Sequence, residues 1–341
     1  MPFLEISDLV VDHDPRSLAR LPVRRADVVA RLRAAGDHRG ARIAAGLACD
    51  EDGILDPQAV DRRLVAVHTE LQRLSEELRL GERVAEVLRP LLAAIRTDPA
   101  VGPLRVVDVG CGLGYLVRWL AASGALGPDV ELVGVDFNAA LVTEAERLAR
   151  AEDLHCRFVR GNAFALSEPA TVYVSTGVLH HFRGASLDSF FAAQAMPESP
   201  ASRRSGTGTE ARNAKGSIGS GPAAFCHFDI AATPLAPVGA WIFHRARMRD
   251  PLGRHDGVMS ARRAHDDATL LRAAAQARGM VALVYEPRSR SNPFCTTVRP
   301  VLGLRPGLVP ALHAALGHSA TGRLTGDLVD LLTRPTSRDA R

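Results

Sequence analysis

The feature that most constrains the fold is a strand-like segment that ends in an acid and three spaced glycines. The run Val106–Val109 is apolar except for Asp108, and Gly110, Gly112 and Gly114 follow before a helix-like stretch begins. Glycine lets the backbone turn sharply after the strand and lets a ligand lie close to it. The next helix offers free N–H groups and the positive end of its dipole. The segment therefore predicts a strand–turn–helix unit that binds a nucleotide-like ligand carrying a carboxylate or phosphate.

The glycine spacing separates this turn from two other phosphate-binding loops. Dinucleotide-binding folds use G-x-G-x-x-G, whereas here the third glycine comes one position early and Tyr115 stands where that pattern needs glycine. A P-loop would continue as G-K-[ST], and this turn does not. A dinucleotide-dependent oxidoreductase therefore stays only as a distant alternative.

A second acid ends the next strand-like segment. The apolar run Glu131–Val135 is followed by Asp136, about 20 residues beyond the glycine turn, where a carboxylate can accept hydrogen bonds from both ribose hydroxyls of a nucleoside. Phe137 could then pack on the adenine. Asp136 could instead cap the helix that follows, but the glycine turn upstream favours the ribose role.

Short apolar runs alternate with helical stretches from residue 104 onward, which predicts βαβ units and a parallel sheet. Strands are predicted over 105–109, 131–135, 156–160, 171–175, 223–230, 280–285 and 293–302, the last two as an antiparallel hairpin at the sheet edge. Helices are predicted between them, including one over 260–278. Residues 1–100 read mostly as helix, over 25–35, 62–78 and 82–95, with a kink or break at Pro90.

These segments together resemble the class I S-adenosylmethionine-dependent methyltransferases, in their small-molecule branch. The acid-headed glycine turn corresponds to the first motif of that family. The turn Gly161–Ala163 stands where the family has a G-D-A-like turn, and Leu179–Phe182 resembles the family motif after the fourth strand. The four segments follow one another in the family's order and spacing.

The resemblance implies a Rossmann-like α/β core, with a mostly parallel seven-stranded sheet and helices on both faces. A helical N-terminal extension over 1–80 is expected to precede the methyltransferase domain at 81–302, and a helical tail to follow at 303–341. The extension is expected to pack over the cofactor and to shape the acceptor pocket. The Ser- and Gly-rich stretch 196–221 is interpreted as a flexible insertion, because it has too little apolar surface to offset the entropy of ordering.

The resemblance also implies S-adenosylmethionine as the cofactor and assigns the residues that hold it. Asp108 and the three glycines would hold its amino-acid end and Asp136 its ribose. The adenine would be framed by Phe137, Asn162 and Ala163, and Ser175 is counted among the cofactor-binding residues. Asn162 replaces the acid of the family, and its amide oxygen can still accept a hydrogen bond from the adenine amine.

His180 and His181 are the catalytic candidates. Either could take the proton of a hydroxyl acceptor, whereas an amine or an activated carbon would need no base. The alternative is structural, with one histidine capping the next helix or tying the loop.

The cysteines argue against a disulfide framework and a zinc site, because their number, five, is odd and none has CxxC spacing. We therefore expect reduced thiols and no metal site. The N-terminus lacks the pattern of a signal peptide, and no apolar run approaches the roughly 20 residues that span a bilayer. These features predict a cytoplasmic protein without a membrane partner.

The partner predicted for this chain is a small-molecule methyl acceptor of unknown identity. The net charge is +4, but the arginines are spread along the chain, which disfavours a nucleic-acid surface. The alternatives are an RNA methyltransferase and a non-catalytic protein that only binds S-adenosylmethionine. The oligomeric state stays open.

Overall fold

The computed structural model describes residues 3–99, 101–195, 221–285 and 298–316, and the backbone of 324–326. Its strands are β1 (Asp12–His13), β2 (Arg20–Leu21), β3 (Leu104–Val109), β4 (Val130–Asp136), β5 (Arg157–Arg160), β6 (Val172–Thr176), β7 (Ala224–Ile230), β8 (Val281–Tyr285), β9 (Val298–Leu304) and β10 (Leu324–Gly326). Its helices are α1 (Ile6–Leu9), α2 (Arg25–Ala34), α3 (His38–Ala45), α4 (Pro57–Glu77), α5 (Leu80–Ile95), α6 (Tyr115–Ser123), α7 (Ala139–Ala151), α8 (Ala185–Ala195), α9 (Ala236–Arg247), α10 (Pro251–Arg263), α11 (Asp267–Ala274) and α12 (Val309–Leu316).

The main sheet runs in the order β10-β8-β9-β7-β6-β3-β4-β5. Strands β3 to β7 pair in parallel, and β9 lies antiparallel between β7 and β8. The predicted, mostly parallel seven-stranded sheet is thus confirmed, and β10 adds a short antiparallel strand beside β8. The antiparallel pairing of the last two predicted strands is also confirmed, but β9 lies inside the sheet. The loop predicted between them falls outside the described residues, as does the insertion at 196–220.

Helices cover both faces of the sheet. Neighbouring residues of a strand point to opposite faces, so each strand contributes side chains to the core on both sides. On β3, Val106 lies in one buried cluster with α5, α6 and α7, whereas Val107 lies in another with α8 and α11. Side chains at these positions are almost fully excluded from solvent. Both faces of this parallel sheet are therefore core, as expected for strands with near-continuous apolar sequence.

A third apolar cluster belongs to the N-terminal region. It joins α1 to α4 with Met248 and with Leu252 of α10, so this region packs against the segment that follows β7. Side-chain caps begin two of its helices: Asp37 accepts from the Gly40 N–H at α3, and Asp56 accepts from the Gln58 N–H at α4. The predicted helical character of residues 1–100 is confirmed.

Two details of the predicted helices differ from the structure. The break offered at Pro90 is absent, because the buried apolar face of helix α5 packs well enough to outweigh the roughly 3 kcal/mol that an interior proline costs; the kink offered there as the other outcome stays a prediction. The helix predicted over 260–278 is two helices, since Asp266 accepts from the Thr269 N–H and starts α11 there. Within the described part of the chain, no helix is long and apolar enough to cross a membrane.

Candidate cofactor and acceptor site

The glycine turn lies at the carboxyl ends of the central strands. In β3, Asp108 is paired with Gly134 of β4 on one side and Val174 of β6 on the other. The chain runs from β3 through β4 to β5 on one side, then crosses to β6 on the other side of β3, and open α/β sheets bind ligands in the crevice at such a reversal. Sequence order thus places the glycine turn at the edge where a ligand can enter.

All three glycines of the turn need the absence of a side chain. Their φ angles are +75°, +55° and +70° for Gly110, Gly112 and Gly114, which is the left-handed region. A Cβ on Gly114 would collide with the Phe158 ring, and one on Gly112 would lie 2.8 Å from Cδ2 of His68. The turn is therefore held tightly between the sheet and helix α4.

Asp108 is a buried carboxyl with an unpaired oxygen. Its Oδ1 has no hydrogen-bond partner among the described residues, and the residue is 2% exposed. Burial, and then the neighbouring charge of Asp136, raise the pKa of Asp108 to about 8. An orphaned acceptor beside a glycine turn suits a ligand that brings a cationic donor, such as the α-ammonium of an amino acid.

Asp136 ties two turns together. Its Oδ2 accepts from the Gly112 N–H at 2.9 Å, and its Oδ1 accepts from the Asn138 N–H at 2.9 Å. Burial raises the pKa of Asp136, while these two backbone donors lower it. The helix cap of α7 is supplied by Asn138, whose Oδ1 accepts from the Ala140 N–H. The alternative role of Asp136 as helix cap is thus filled by Asn138.

The residues predicted around adenine lie at the same edge and touch the N-terminal segment. Phe137 is 45% exposed and meets the ring of His13 edge to face. Asn162 donates through Nδ2 to the Pro15 carbonyl at 2.8 Å and accepts at Oδ1 from the Phe164 N–H. Ala163 is half-buried beside them. Both Nδ2 and Oδ1 of Asn162 thus already have hydrogen-bond partners within the protein.

Ser175 is placed beneath the surface of this edge. It is fully buried, and its Oγ lies 2.9 Å from Nδ1 of His227. Nε2 of His227 in turn contacts Oε1 of Gln194 at 2.7 Å. Burial lowers the pKa of His227 to about 3, so this imidazole stays neutral. The Ser175 hydroxyl thus belongs to a buried polar network.

His180 and His181 lie in a short 3-10 turn after β6, and each imidazole faces a carboxylate. His180 is buried and donates from Nδ1 to Oδ1 of Asp229 at 2.8 Å, while its backbone N–H donates to Oδ2. His181 contacts Asp8 from Nδ1 at 2.7 Å. Burial lowers the pKa of His181, but the charge of Glu5 and the bond to Asp8 raise it overall, to about 9.

Sequence reasoning missed several residues that the fold brings to this edge. Arg263 of α10 donates to the backbone carbonyls of both histidines and pairs with Asp8 at 2.5 Å and with Glu5 at 3.1 Å. His68 donates from Nδ1 to the Leu64 carbonyl at 2.9 Å and lies over the glycine turn. The contacts of Arg263 span 82 and 83 residues to the histidine carbonyls and 255 residues to Asp8, so no local pattern could reveal them.

The comparisons with known proteins agree with the fold. Residues 106–195 match a family described as "Methyltransferase domain". No curated protein matches the chain by sequence.

Three solved structures illustrate the likeness. Magnesium protoporphyrin IX methyltransferase (ChlM) from Synechocystis, with bound S-adenosylhomocysteine, is 15% identical over 82% of this chain and 99% of its own, with a TM-score of 0.41. The methyltransferase domain of bacterial CtHen1 is 13% identical over 67% and 98%, with a TM-score of 0.44. The PH0226 protein from Pyrococcus horikoshii is 15% identical over 66% and 90%, with a TM-score of 0.40. Likeness at this level does not bear on the acceptor.

Proposed function

We propose that this chain, whose residues 106–195 match a methyltransferase-domain family, is a class I S-adenosylmethionine-dependent methyltransferase that transfers the sulfonium methyl group to a small-molecule acceptor. The observation that carries the proposal is the buried, unpaired carboxyl of Asp108 at the head of a glycine turn whose φ angles are all positive. That arrangement suits the cationic amino-acid end of the cofactor.

The chain's own residues would hold the cofactor at both ends. Asp108 would accept from the ammonium group. The N–H groups of the three turn glycines already donate within the protein, so the carboxylate would lie at the positive N-terminal end of helix α6. Asp136, already fixed by two backbone donors, would accept from the ribose hydroxyls. Phe137 would pack on the adenine face; contacts of Asn162, Ala163 and Ser175 with the cofactor stay predictions from sequence.

Transfer of the methyl group asks the protein mainly for position. The acceptor atom must approach in line with the S–CH₃ bond in a site that excludes water. The methyl bond to sulfur breaks as the bond to the acceptor forms, and the sulfonium becomes a neutral thioether. His181, with its raised pKa, would be cationic at neutral pH. It therefore suits an electrostatic role better than that of a base, and His180 stays the candidate base for a hydroxyl acceptor.

Charge at the acceptor edge favours a small molecule over RNA. The groups beside His180 include the carboxylates of Glu5, Asp8 and Asp229, as well as the cations Arg263, Arg183 and His181. RNA enzymes need a basic surface that neutralises phosphates, and these mixed charges do not form one. The N-terminal segment also crosses this edge, through the contacts of Pro15 and Asp8. It would therefore limit the size of the acceptor, as the position of the extension predicts.

The test combines binding with turnover. S-adenosylhomocysteine should raise the melting temperature by mass action, and NADH should not. Incubation with methyl-labelled S-adenosylmethionine and a metabolite panel should then give label transfer to one chemical class. Binding without transfer to any metabolite or RNA would favour the non-catalytic alternative. Domain limits at 80 and 302, and a cytoplasmic location, remain predictions.

A further inference from the structure

A cluster of metal-ligand type lies at the carboxyl edge of β6 and β7. It joins Glu5 of the N-terminal segment with His180 and His181, and one potential ligand atom from each lies within 4.8 Å of the others. Nε2 of His180 and Nδ1 of His181 are each 3.7 Å from an oxygen of Glu5. That separation is too long for a hydrogen bond. It is close to the roughly 3.4 Å between two ligands of one tetrahedral zinc ion with bonds near 2.1 Å.

Both imidazoles have a carboxylate at Nδ1. Asp229 accepts from His180 at 2.8 Å, which leaves Nε2 of that ring with a lone pair on the side of Glu5. Asp8 holds the ring of His181 at 2.7 Å. A carboxylate therefore holds each of the two rings in place. A metal-binding histidine is commonly oriented as His180 is, by a carboxylate on the nitrogen that does not ligate. In His181 the Nδ1 that faces Glu5 is also the atom that meets Asp8, so binding of an ion would replace that contact.

The charges of the cluster are unbalanced when its imidazoles are neutral. Glu5, Asp8 and Asp229 supply three negative charges, and Arg263 supplies one positive charge. Two negative charges remain once an ion has displaced the proton of His181, and this is the charge that a divalent cation neutralises. The Glu5 side chain is 3% exposed. Its Oε1 accepts no hydrogen bond from the described residues, although Arg263 lies 3.1 Å away as an ion pair.

We propose that Glu5, His180 and His181 bind one divalent first-row transition ion, such as Zn²⁺, Co²⁺ or Mn²⁺. Two imidazoles and one carboxylate suit such ions, and a three-residue set leaves a coordination position for water or a ligand. His181 is 30% exposed and gives the ion a path from solvent. Glu5 lies about half the chain length before the adjacent histidines, so no local spacing could reveal the site.

The test measures metal binding to the full chain, independently of methyl transfer. The metal-free protein is titrated with Zn²⁺ by calorimetry, and Co²⁺ is added in parallel to record its visible ligand-field bands. Glu5→Gln keeps the shape of the side chain and removes its charge, and His180→Asn removes one ring. His155→Asn, on an exposed histidine outside the cluster, is the matched control.

We expect one Zn²⁺ per chain with micromolar or tighter affinity, and a Co²⁺ spectrum without a thiolate charge-transfer band. Glu5→Gln should weaken binding about tenfold or more, as loss of a ligand or its partner does, and His155→Asn should leave it unchanged. Equal affinity in Glu5→Gln and wild type, or only weak binding at several sites, would overturn the proposal. S-adenosylhomocysteine affinity is measured on the same samples, so loss of fold or of the cofactor site is recognised separately.

Discussion

Replacing Asp108 with asparagine should stabilise the ligand-free protein and weaken its affinity for S-adenosylhomocysteine. The native carboxyl has a pKa of about 8, against an ordinary value of 3.8. Between these values the unfolded chain has lost the proton and the folded protein still binds it, so wild-type stability falls as pH rises. At 1.36 kcal/mol per pKa unit, the penalty reaches about 4 kcal/mol at pH 7.

Asparagine has nearly the same shape and does not titrate. The gain in the free energy of unfolding should therefore grow from about 2 kcal/mol at pH 5 to at most about 4 kcal/mol at pH 7. The same change removes a carboxyl that would give up its proton and accept, as a carboxylate, from the cofactor's ammonium group. A charge-assisted hydrogen bond contributes about 1.5–3 kcal/mol, so the Kd should rise by roughly 10- to 100-fold.

Urea unfolding at pH 5, 6, 7 and 8 measures the first effect, and calorimetry measures the second. Asp52→Asn, at an exposed position, is the control and should change neither. An Asp108→Asn variant that is less stable than wild type at pH 7, or that shows the same fall of stability with pH, would refute the reasoning about this carboxyl.

Three further changes test other parts of the fold. Gly114→Ala should lower the free energy of unfolding more than Gly124→Ala, as measured by urea unfolding. Both glycines have left-handed φ, but a Cβ at Gly114 collides with the Phe158 ring, whereas a Cβ at Gly124 meets no atom of the described chain within 4 Å. His68→Ala should raise the Kd for S-adenosylhomocysteine and change stability little, because the ring lies over the glycine turn; equal Kd values by calorimetry would argue against contact. His227→Gln should reduce the loss of stability between pH 7 and pH 5, which unfolding at both pH values measures. The buried imidazole has a pKa of about 3, so wild type loses about 1.4 kcal/mol of unfolding free energy per pH unit as pH falls from 6.5 toward 3.

The sheet could be predicted from sequence because each of its strands is marked by residues that are adjacent in the chain. Each parallel strand is a short apolar run, and the glycine turn and Asp136 follow strand ends directly. Parallel strands bring their carboxyl ends to one edge, so these residues were expected to meet there, and they do. The helix that splits before α11 was missed because its break is made by one capping residue, Asp266, rather than by glycine or proline.

The charged residues around His180 and His181 could not be predicted, because they are distant in sequence and belong to no recognisable motif. They are Glu5, Asp8, Asp229 and Arg263. Asp8 meets His181 across 173 residues and Arg263 across 255. Acids near the N-terminus and arginines in a helix are common on solvated surfaces, and only the fold shows that these meet beside the two histidines. The packing of α4, which carries His68 over the glycine turn, was likewise hidden in an apolar helical pattern.

The most direct measurement is calorimetric titration of the purified protein with S-adenosylhomocysteine at neutral pH. One molecule should bind per chain with measurable heat, and binding should weaken in Asp136→Asn, where a single charge beside the ribose is removed. If no heat is released at concentrations that saturate methyltransferases, the acid-headed glycine turn does not hold an adenosyl ligand and the assignment of this site is wrong.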